Sequence, residues 1–457
     1  MPSPPQERAL LPALEGTKFL VHFAQTHESF RQAELDSLAV YYNLPLEWVE
    51  YSDSSPFAII SLPTAADARK LIGRSILAKG VYTLWAHAED YDTLHSQIQK
   101  QPHLFPPCQH HTFKFTVDTF QSSRSIKEQH ATIASFSYLN LQGGISMKTP
   151  ELHFFVFEEF PDRKNLGRIF FGLKLGDSDR DSVNRYDLKK RKYIGTTSMD
   201  AELSLLTCNM ALCAPGKLVY DPFAGTGSFL YTASHFGSTT MGSDIDGRQL
   251  RGKKDRNVVN NFKQYNMSNR YLDGFTADLT NTPLRKARYL DAIVCDPPYG
   301  VREGLKVLGS RDPEKGKTPV MVGGIPGHLR PEYIPPKRPF GFEEMLDEVL
   351  QFSVDYLVDG GRLAFWMPTA NEDGETGIPR NRRLRLDHHC VQTFNKWSRR
   401  LLVYTRLKDE DVVEETEEEK REREDKRGTA DQLNGFRKKY FEGFKAQDAE
   451  EEAGKSL

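Results

Sequence analysis

Short apolar runs and amphipathic segments alternate along the front part of the chain. Apolar residues at helical spacing predict helices over residues 30–41 and 65–71. Apolar runs rich in β-branched and aromatic residues predict strands at residues 18–23, 57–62, 81–86, 113–117, 153–157 and 169–173. Helices and strands mixed in this way are typical of a small α+β unit.

From residue 201 onward the pattern changes to a regular alternation of strands and helices. An apolar helix at 203–212 leads to a strand at 217–220, and a further helix follows at 229–236. Further strands are predicted at residues 239–243, 291–295 and 362–366. This alternation favours an α/β fold around a central sheet.

Breaks in composition divide the chain into five predicted parts. A proline-rich break follows residue 100, a basic stretch precedes the α/β pattern, and an acid-rich stretch follows it. The stretch 301–339 is rich in Gly, Pro and Arg and is interpreted as a substrate-facing or disordered insertion. The parts are an N-terminal domain (1–100), a second domain (101–175), a basic linker (176–195), the α/β domain (196–408) and a charged C-terminal tail (409–457).

A glycine-rich loop, Asp-Pro-Phe-Ala-Gly-Thr-Gly-Ser, directly follows the predicted strand at 217–220. Gly225 and Gly227 let the backbone approach a ligand where a side chain would clash, and the next helix points its N–H groups into the same space. A P-loop would need a Lys, and a dinucleotide fingerprint would need Gly in place of Leu230. Two interpretations remain, a plain glycine turn and the S-adenosylmethionine (SAM) loop of a class I methyltransferase. The second predicts cofactor contacts from Asp221, Pro222, Phe223, Gly225 and Gly227.

Acidic residues downstream favour the methyltransferase interpretation. Asp244 ends the next predicted strand, where a carboxylate can accept hydrogen bonds from both ribose hydroxyls. Asp246 is less favoured because it lies farther from the strand end. Asp278 follows at a position where a carboxylate can accept a hydrogen bond from the adenine amino group, although a lone Asp is more often a surface residue. Asp244 and Asp278 are therefore predicted to bind the cofactor.

The most diagnostic motif is Asp-Pro-Pro-Tyr-Gly, which begins at Asp296 directly after a predicted buried strand. An amine conjugated to a ring is a weak nucleophile, and a carboxylate and a rigid carbonyl that accept its N–H groups draw charge toward the nitrogen. Pro297 and Pro298 hold the backbone rigid, and Tyr299 offers a flat face to a base turned out of its stack. These four residues are the predicted catalytic group, against the alternative of a proline turn that ends a strand.

At this point the chain resembles a known family. Two stretches, Arg-Lys-Tyr-Ile-Gly-Thr-Thr-Ser-Met-Asp-Ala-Glu at 191–202 and Val-Gln-Thr-Phe-Asn-Lys-Trp-Ser-Arg-Arg at 391–400, are similar to the catalytic subunit of the eukaryotic tRNA guanosine-10 N2-methyltransferase. The resemblance covers residues 113–407 well and the preceding region more loosely. It implies a ferredoxin-like part within 1–100, a THUMP domain at 101–175 and a Rossmann-like SAM-dependent methyltransferase domain at 196–408.

The same resemblance implies partners and further site residues. A small zinc-binding activator protein is expected to form a heterodimer with this chain, and tRNA is the expected substrate. The resemblance also places Thr196, Thr197 and Ser198 near the cofactor, and gives residues 296–299 the role of holding the guanine.

Two basic stretches are candidate RNA contacts, although charge runs are usually solvated faces. Tyrosines flank the first stretch and could stack on bases. The predicted RNA-binding residues are Lys189, Lys190, Arg191, Lys192, Arg399 and Arg400.

Composition narrows the class of protein. The chain has 61 Lys and Arg against 63 Asp and Glu, which excludes a uniformly basic nucleic-acid coat but allows a local basic face. No apolar run approaches the length of a membrane span, and five cysteines in 457 residues argue against a disulfide scaffold, so a cytoplasmic location is expected. The histidines and cysteines lack paired metal-ligand spacing, so no metal site is predicted.

The sequence thus predicts an enzyme that transfers a methyl group from SAM to N2 of guanosine 10 in tRNA. A methyltransferase acting on adenine N6 or on protein glutamine could use the same core, although the glutamine enzymes usually carry Asn in place of Asp296. A non-catalytic RNA-binding scaffold is the remaining alternative.

Overall fold

The computed structural model describes residues 17–299, 305–309, 320–330, 333, 336–369, 377–394 and 397–412. The chain divides into two compact units, residues 1–181 and 182–457. Each unit is built around one seven-stranded sheet. No helix within the described part of the chain is long and apolar enough to cross a membrane.

The unit formed by residues 1–181, called the front unit because it comes first in the chain, has the strand order β2-β3-β1-β4-β7-β6-β5. Neighbouring strands are antiparallel except β5 and β6, which run parallel. The elements are β1 Thr17–Phe23, α1 Arg31–Tyr42, β2 Glu47–Glu50, β3 Phe57–Leu62, α2 Ala65–Ile72, β4 Ala78–Ala88, α3 Tyr91–Gln99, β5 Phe113–Phe120, α4 Ile126–Ala134, β6 Leu152–Glu159 and β7 Arg168–Asp177.

The structure differs from the predicted division of this unit at residue 100. Strand β4 pairs with β1 on one side and with β7 on the other, so strands from both predicted parts form one sheet. Trp85 packs with its ring centroid 5.6 Å from those of Phe154 and Phe171, in one apolar cluster that also includes Leu94. Residues from both parts therefore share one apolar cluster as well as one sheet.

The unit formed by residues 182–457, called the rear unit because it comes second in the chain, has the strand order β10-β9-β8-β11-β16-β18-β17. The five strands from β10 to β16 are parallel, and β18 and β17 complete the sheet in antiparallel orientation. The elements are α5 Asp181–Arg185, α6 Ala201–Met210, β8 Leu218–Asp221, α7 Ser228–His235, β9 Thr239–Asp244, α8 Gly247–Arg251, α9 Val258–Gln264, β10 Tyr271–Thr276, β11 Leu290–Cys295, β12 Lys306–Leu308, β13 Met321–Val322, β14 Ile325–Pro326, β15 Lys337–Pro339, α10 Phe342–Tyr356, β16 Leu357–Thr369, β17 Leu384–Thr393 and β18 Ser398–Arg406.

This order confirms the predicted Rossmann-like α/β class. The chain runs from β8 outward to β9 and β10, and then returns to the other side of β8 as β11. The direction of winding therefore reverses between β8 and β11, and open α/β sheets bind ligands at the carboxyl ends of strands beside such a point. Strand β11 is apolar along most of its length, as expected for a parallel strand covered on both faces.

The described residues of the stretch 301–339 form two small antiparallel pairs, β12 with β15 and β13 with β14. The first pair packs near the carboxyl end of β10, because Leu308 donates its N–H to Asp278 and Asn281 donates its amide to the Leu308 carbonyl at 3.3 Å. Of the predicted tail, only residues 409–412 lie within the described range, and Asp409 binds Arg288 there at 2.8 Å.

Candidate active site

The glycine-rich loop joins β8 to α7 at the carboxyl edge of the sheet. Gly225 and Gly227 have φ values of 50° and 87°, in the left-handed region that favours glycine. A Cβ on Gly227 would lie 2.8 Å from the Tyr231 hydroxyl oxygen, whereas a Cβ on Gly225 would have only the Phe223 carbonyl, at 4.0 Å, within reach. Gly227 is thus required by packing inside the protein, and Gly225 borders the open space in front of the loop.

Asp221 ends β8 and is almost completely buried, with 1% of its surface exposed. It accepts a hydrogen bond from the Phe223 N–H at 2.9 Å, which fixes the first turn of the loop. Burial raises the pKa of Asp221 well above its usual value, and the carboxylates of Asp244 and Asp296 raise it further. Phe223 itself packs against the core of the rear unit, and the Pro222 carbonyl accepts a hydrogen bond from Ser243 at 3.4 Å.

Asp244 ends the neighbouring strand β9 and faces the same loop. Its two carboxylate oxygens accept the N–H groups of Gly225 at 2.9 Å and of Asp246 at 2.7 Å. Asp246 instead pairs with Arg248 at 2.6 Å and caps α8. Asp244 is therefore the carboxylate that the fold holds against the loop.

Asp278 follows β10 and has an internal role that the sequence did not indicate. It is 7% exposed and accepts the N–H groups of Thr280 at 2.8 Å and Asn281 at 3.0 Å. Its second oxygen accepts the N–H of Leu308. The Asp278 carboxylate thus ties the β12–β15 pair to the end of β10, so hydrogen bonding to a ligand would compete with these contacts.

The segment before α6 lies against the glycine-rich loop. The Ser198 hydroxyl accepts the Gly195 N–H at 2.9 Å and lies 2.7 Å from the hydroxyl of Thr226 in the loop. Thr196 and Thr197 are exposed at the same turn. Of the three residues singled out by the resemblance, Ser198 therefore contacts the loop directly.

The Asp-Pro-Pro-Tyr motif follows β11 at the same edge of the sheet. The Tyr299 hydroxyl donates to Asp296 at 2.5 Å. Burial raises the pKa of Asp296 to about 6, and the bond from Tyr299 and the charge of Arg399 oppose that rise. Pro297 is buried and Pro298 is exposed. The carboxylate is thus ionised at neutral pH and is held by a neighbouring phenol.

Arg399, on β18, belongs to this corner of the site. Its guanidinium carbon lies 4.7 Å from the centroid of Trp366 and 5.7 Å from that of Phe394, and its Nε donates to Gln392 at 2.6 Å. Burial and the Asp296 charge raise the pKa of Tyr299 well above its usual value, while Arg399 lowers it through its charge and a hydrogen bond. Arg399 therefore faces both polar members of the motif.

Two aromatic residues of the hairpin between β17 and β18 complete this corner. The Trp397 ring lies 6.0 Å from that of Tyr299 at 71°, and it stacks on Phe394 at 4.7 Å. Neither residue has a local sequence pattern that predicts a role in the site. The available signal was their place inside the stretch 391–400 that carries the family resemblance.

Two other predicted RNA-binding residues are corrected by their burial. Arg191 is 4% exposed, donates to the Ser228 hydroxyl at 2.8 Å and lies over the Tyr231 ring. Arg400 is 1% exposed within the sheet. Neither side chain can reach a phosphate, whereas Lys189, Lys190 and Lys192 are exposed.

The chemistry of this edge fits a cationic ligand that carries hydroxyl groups. Asp221 and Asp244 end adjacent strands, Asp296 directly follows a third strand beside them, and the charges of Asp244 and Asp296 disfavour ionisation of Asp221. A ligand with positive charge would relieve this repulsion. Among the described residues, no group of three or more His, Cys, Asp or Glu side chains could hold a metal ion.

Comparison with known proteins agrees with this geometry. Residues 17–180 match the family model of the Tmrp11 THUMP N-terminal domain, and residues 189–308 match the RMKL-like methyltransferase domain. The tRNA (guanine(10)-N(2))-methyltransferase of Saccharomyces cerevisiae is 47% identical and covers 85% of this chain and 92% of its own length. The protein of the same name from Schizosaccharomyces pombe is 40% identical, covering 85% and 89%.

A solved structure, TrmN from Thermus thermophilus, aligns with 85% of this chain and 100% of its own at 16% identity and a TM-score of 0.42, too loosely to add to the fold described above. The two fungal relatives are much closer in sequence, and each similarity covers most of both chains. The chain is therefore a member of the tRNA (guanine(10)-N2)-methyltransferase family.

Proposed function

We propose that this chain transfers a methyl group from SAM to the exocyclic N2 of guanosine 10 in tRNA. The observation that carries the proposal is the meeting of Asp296 and Tyr299 with the glycine-rich loop at one edge of the sheet. The two fungal relatives, which are 47% and 40% identical to this chain over the aligned residues, are named for guanine 10 of tRNA, and this supports the proposed substrate and the proposed position of the methyl group.

The cofactor residues follow from the edge of the sheet. Gly225 borders open space in front of the loop that can receive the amino-acid half of SAM, and Asp221 is buried at the start of the same loop. Asp244 accepts the ribose hydroxyls in this proposal. Thr196, Thr197, Ser198, Pro222, Phe223 and Gly227 shape the surrounding turn, and Asp278 is proposed for the adenine end. When bound, SAM supplies an electrophilic methyl on a sulfonium.

The residues of the motif prepare the attacking amine. The lone pair of guanine N2 is delocalised into the ring, so the nitrogen gains nucleophilicity when its hydrogens are held by acceptors. Ionised Asp296 accepts one N–H and the Pro297 carbonyl accepts the other. Tyr299 packs on the base, and its hydroxyl keeps the carboxylate oriented. Both prolines lack N–H donors and fix φ, so the acceptors do not reorganise during the reaction.

Two partners are part of the proposal. Exposed Lys189, Lys190 and Lys192 are proposed to contact tRNA phosphates. The small zinc-binding activator is proposed to pair with the edge of the rear sheet. Strand β10 ends the strand order there, and Leu272 on it is 59% exposed. Such an edge offers backbone groups and apolar surface to another chain.

Product analysis tests the reaction. Unmodified tRNA is incubated with SAM and the full chain, co-expressed with the activator, and the nucleosides are separated by mass spectrometry. N2-methylguanosine at position 10 is the expected product. Methylated adenine, methylated protein glutamine with unmodified tRNA, or no methylated product at all would each contradict the proposal.

Substitution of Asp296 tests the catalytic assignment. D296A should retain SAM binding by calorimetry and lose at least about 10- to 150-fold in turnover, because a charged hydrogen bond contributes about 1.5–3 kcal/mol. D347A removes an exposed carboxylate from α10 and should behave as wild type. Full activity of D296A would remove its proposed role.

Co-purification tests the activator. L272K places a charge on the β10 edge and should abolish co-purification of the activator, whereas L386K makes the same change on exposed β17 at the opposite end of the sheet and should not. A chain that is soluble and fully active alone would overturn the proposed partnership.

A further inference from the structure

A rigid basic turn lies between α8 and α9. Lys253 and Arg256 exchange backbone hydrogen bonds at 2.9 and 3.0 Å, and the Asn257 side chain donates to the Lys254 carbonyl at 2.9 Å. These bonds hold the turn closed, so its charged side chains project outward. Arg251, Lys253, Lys254 and Arg256 are all exposed.

The basic linker lies beside this turn, although the two are far apart in the sequence. The Tyr193 hydroxyl donates to the Gln249 carbonyl at 2.6 Å, and the Lys192 N–H donates to the side chain of Gln264 at 3.1 Å. Gln264 in turn donates to the Lys190 carbonyl at 2.8 Å. The linker is therefore fastened to α8 and α9, on either side of the turn.

Tyr193 also connects this surface to the cofactor edge. Burial raises the pKa of Tyr193, the carboxylates of Asp246 and Asp244 raise it further, and Arg256 lowers it. All three charged groups therefore lie within electrostatic range of one hydroxyl. Since α8 begins at Gly247, just beyond the end of β9, the basic turn lies on the edge of the sheet that carries the site.

The charges of this surface are unbalanced. Within the described part of the chain, Arg251, Lys253, Lys254 and Arg256 form no ion pair, and the exposed acid between them is Asp255. Unpaired exposed cations concentrated on one face are the pattern that attracts a polyanion, because binding releases its condensed counterions. The position beside the site favours the polyanion that carries the target base.

We propose that Lys192, Arg251, Lys253, Lys254 and Arg256 form a binding site for the sugar-phosphate backbone of tRNA, on nucleotides that flank the target guanosine. The inference rests on the proposed function for the identity of the RNA. It adds a second, sequence-independent contact region, made by the turn after α8 together with the linker, which holds the RNA while the guanine enters the Asp296 corner. Phosphate contacts of this kind set register and orientation and carry no base specificity.

The test is the triple variant K253Q/K254Q/R256Q in the full chain. The Kd for unmodified tRNA, measured by fluorescence anisotropy, should rise about tenfold or more. The slope of log K against log salt should become shallower by about 2 to 3, because each phosphate that the protein no longer neutralises changes it by about 0.7–0.9. In steady-state assays the loss should appear in KM for tRNA, and SAM affinity by calorimetry should equal that of wild type.

A matched control removes the same charge from the opposite edge. K217Q/R285Q/K286Q changes three basic residues that precede β8 and β11, at the amino ends of the strands, and one of them, Lys286, pairs with Asp355 at 2.8 Å. This variant should bind tRNA with the wild-type Kd and salt slope. Equal weakening in both triple variants would show a general charge effect and would overturn the assigned site.

The remaining outcomes separate this inference from the proposed function. If wild-type tRNA affinity and salt slope persist in K253Q/K254Q/R256Q, the surface does not bind RNA. If that variant keeps tRNA affinity but loses its activator on co-purification, the surface contacts protein and the inference is wrong. If tRNA binding weakens as expected but the wild-type product is not N2-methylguanosine, the binding site stands and the proposed reaction is wrong.

Discussion

Replacement of Arg399 by Gln tests whether the charge behind the Asp-Pro-Pro-Tyr motif keeps it ready for catalysis. Burial raises the pKa of Asp296 to about 6, and Arg399 and Tyr299 limit that rise. Asp296 is a strong acceptor for an amine hydrogen when it is ionised and a much weaker one when it is protonated. Activity should therefore fall as the pH drops through the pKa, and any change that raises the pKa should move this fall to higher pH.

The magnitude follows from the size of the interaction that the substitution removes. An opposite charge near a buried carboxylate commonly lowers its pKa by about 1 unit or more, equivalent to about 1.4 kcal/mol. On the acid side of the pH profile, called the acid limb, the methylation rate should thus fall to half of its plateau at about pH 6 in the wild type and at about pH 7 in R399Q. At pH 6 the variant should retain about a tenth of its own plateau rate.

Single-turnover methylation with labelled SAM, measured from about pH 5 to about pH 8.5, gives the profile directly. R399K keeps the positive charge and should keep the limb near its wild-type position, even if loss of the planar stacking on Trp366 lowers the plateau. Tritium transfer in R399Q that declines equally at every pH, or a limb that does not move, would refute the electrostatic role. A large rise in the Kd for tRNA with an unchanged pH profile would instead restore Arg399 as an RNA contact.

Three further substitutions probe the framework. G227A should destabilise the protein by about 1–3 kcal/mol and lower its melting temperature, because the new Cβ would lie 2.8 Å from the Tyr231 hydroxyl oxygen. The control G216A has a similar φ, 80°, but no atom lies within 4 Å of the new Cβ, so it should lower the melting temperature less. D278A should speed hydrogen exchange of the Leu308 amide and weaken SAM binding, and an unchanged exchange rate would contradict its anchoring role. E34A should cost about 2–4 kcal/mol in urea unfolding of the front unit, since the buried carboxylate accepts two backbone N–H groups and a hydroxyl, and a change below about 1 kcal/mol would contradict that importance.

The parts of this protein that are local in the chain could be predicted from the sequence. The strands at β1, β3 and β11 follow from continuous apolar runs, and the glycine-rich loop and the Asp-Pro-Pro-Tyr motif are each contiguous. The order of these motifs, each directly after a strand, also predicts that they meet, because parallel strands bring their carboxyl ends to one edge. The fold class and the positions of Asp221, Asp244 and Asp296 at or directly after strand ends could therefore be predicted from short sequence segments.

Basic side chains could not be assigned in the same way. A run of Lys and Arg has the same appearance in sequence whether the side chains face water or enter the core. Arg191 and Arg400 are buried, Arg399 stacks between aromatic rings behind Asp296, and Lys192 stays at the surface. The difference arises from partners far along the chain, such as Tyr231 for Arg191, which no local pattern shows.

The sequence by itself therefore determined the motifs of the family and the α/β core, since both depend on short segments with strong residue preferences. The tertiary structure decided what depends on distant pairing. Strand β4 connects the strands of residues 17–177 into one sheet, and Asp278 accepts a hydrogen bond from the Leu308 N–H. The linker residue Tyr193 lies within electrostatic range of Arg256 in the basic turn. The physical reason is that the free energy of such contacts comes from packing and hydrogen bonds between segments, which the periodicity of one segment does not encode.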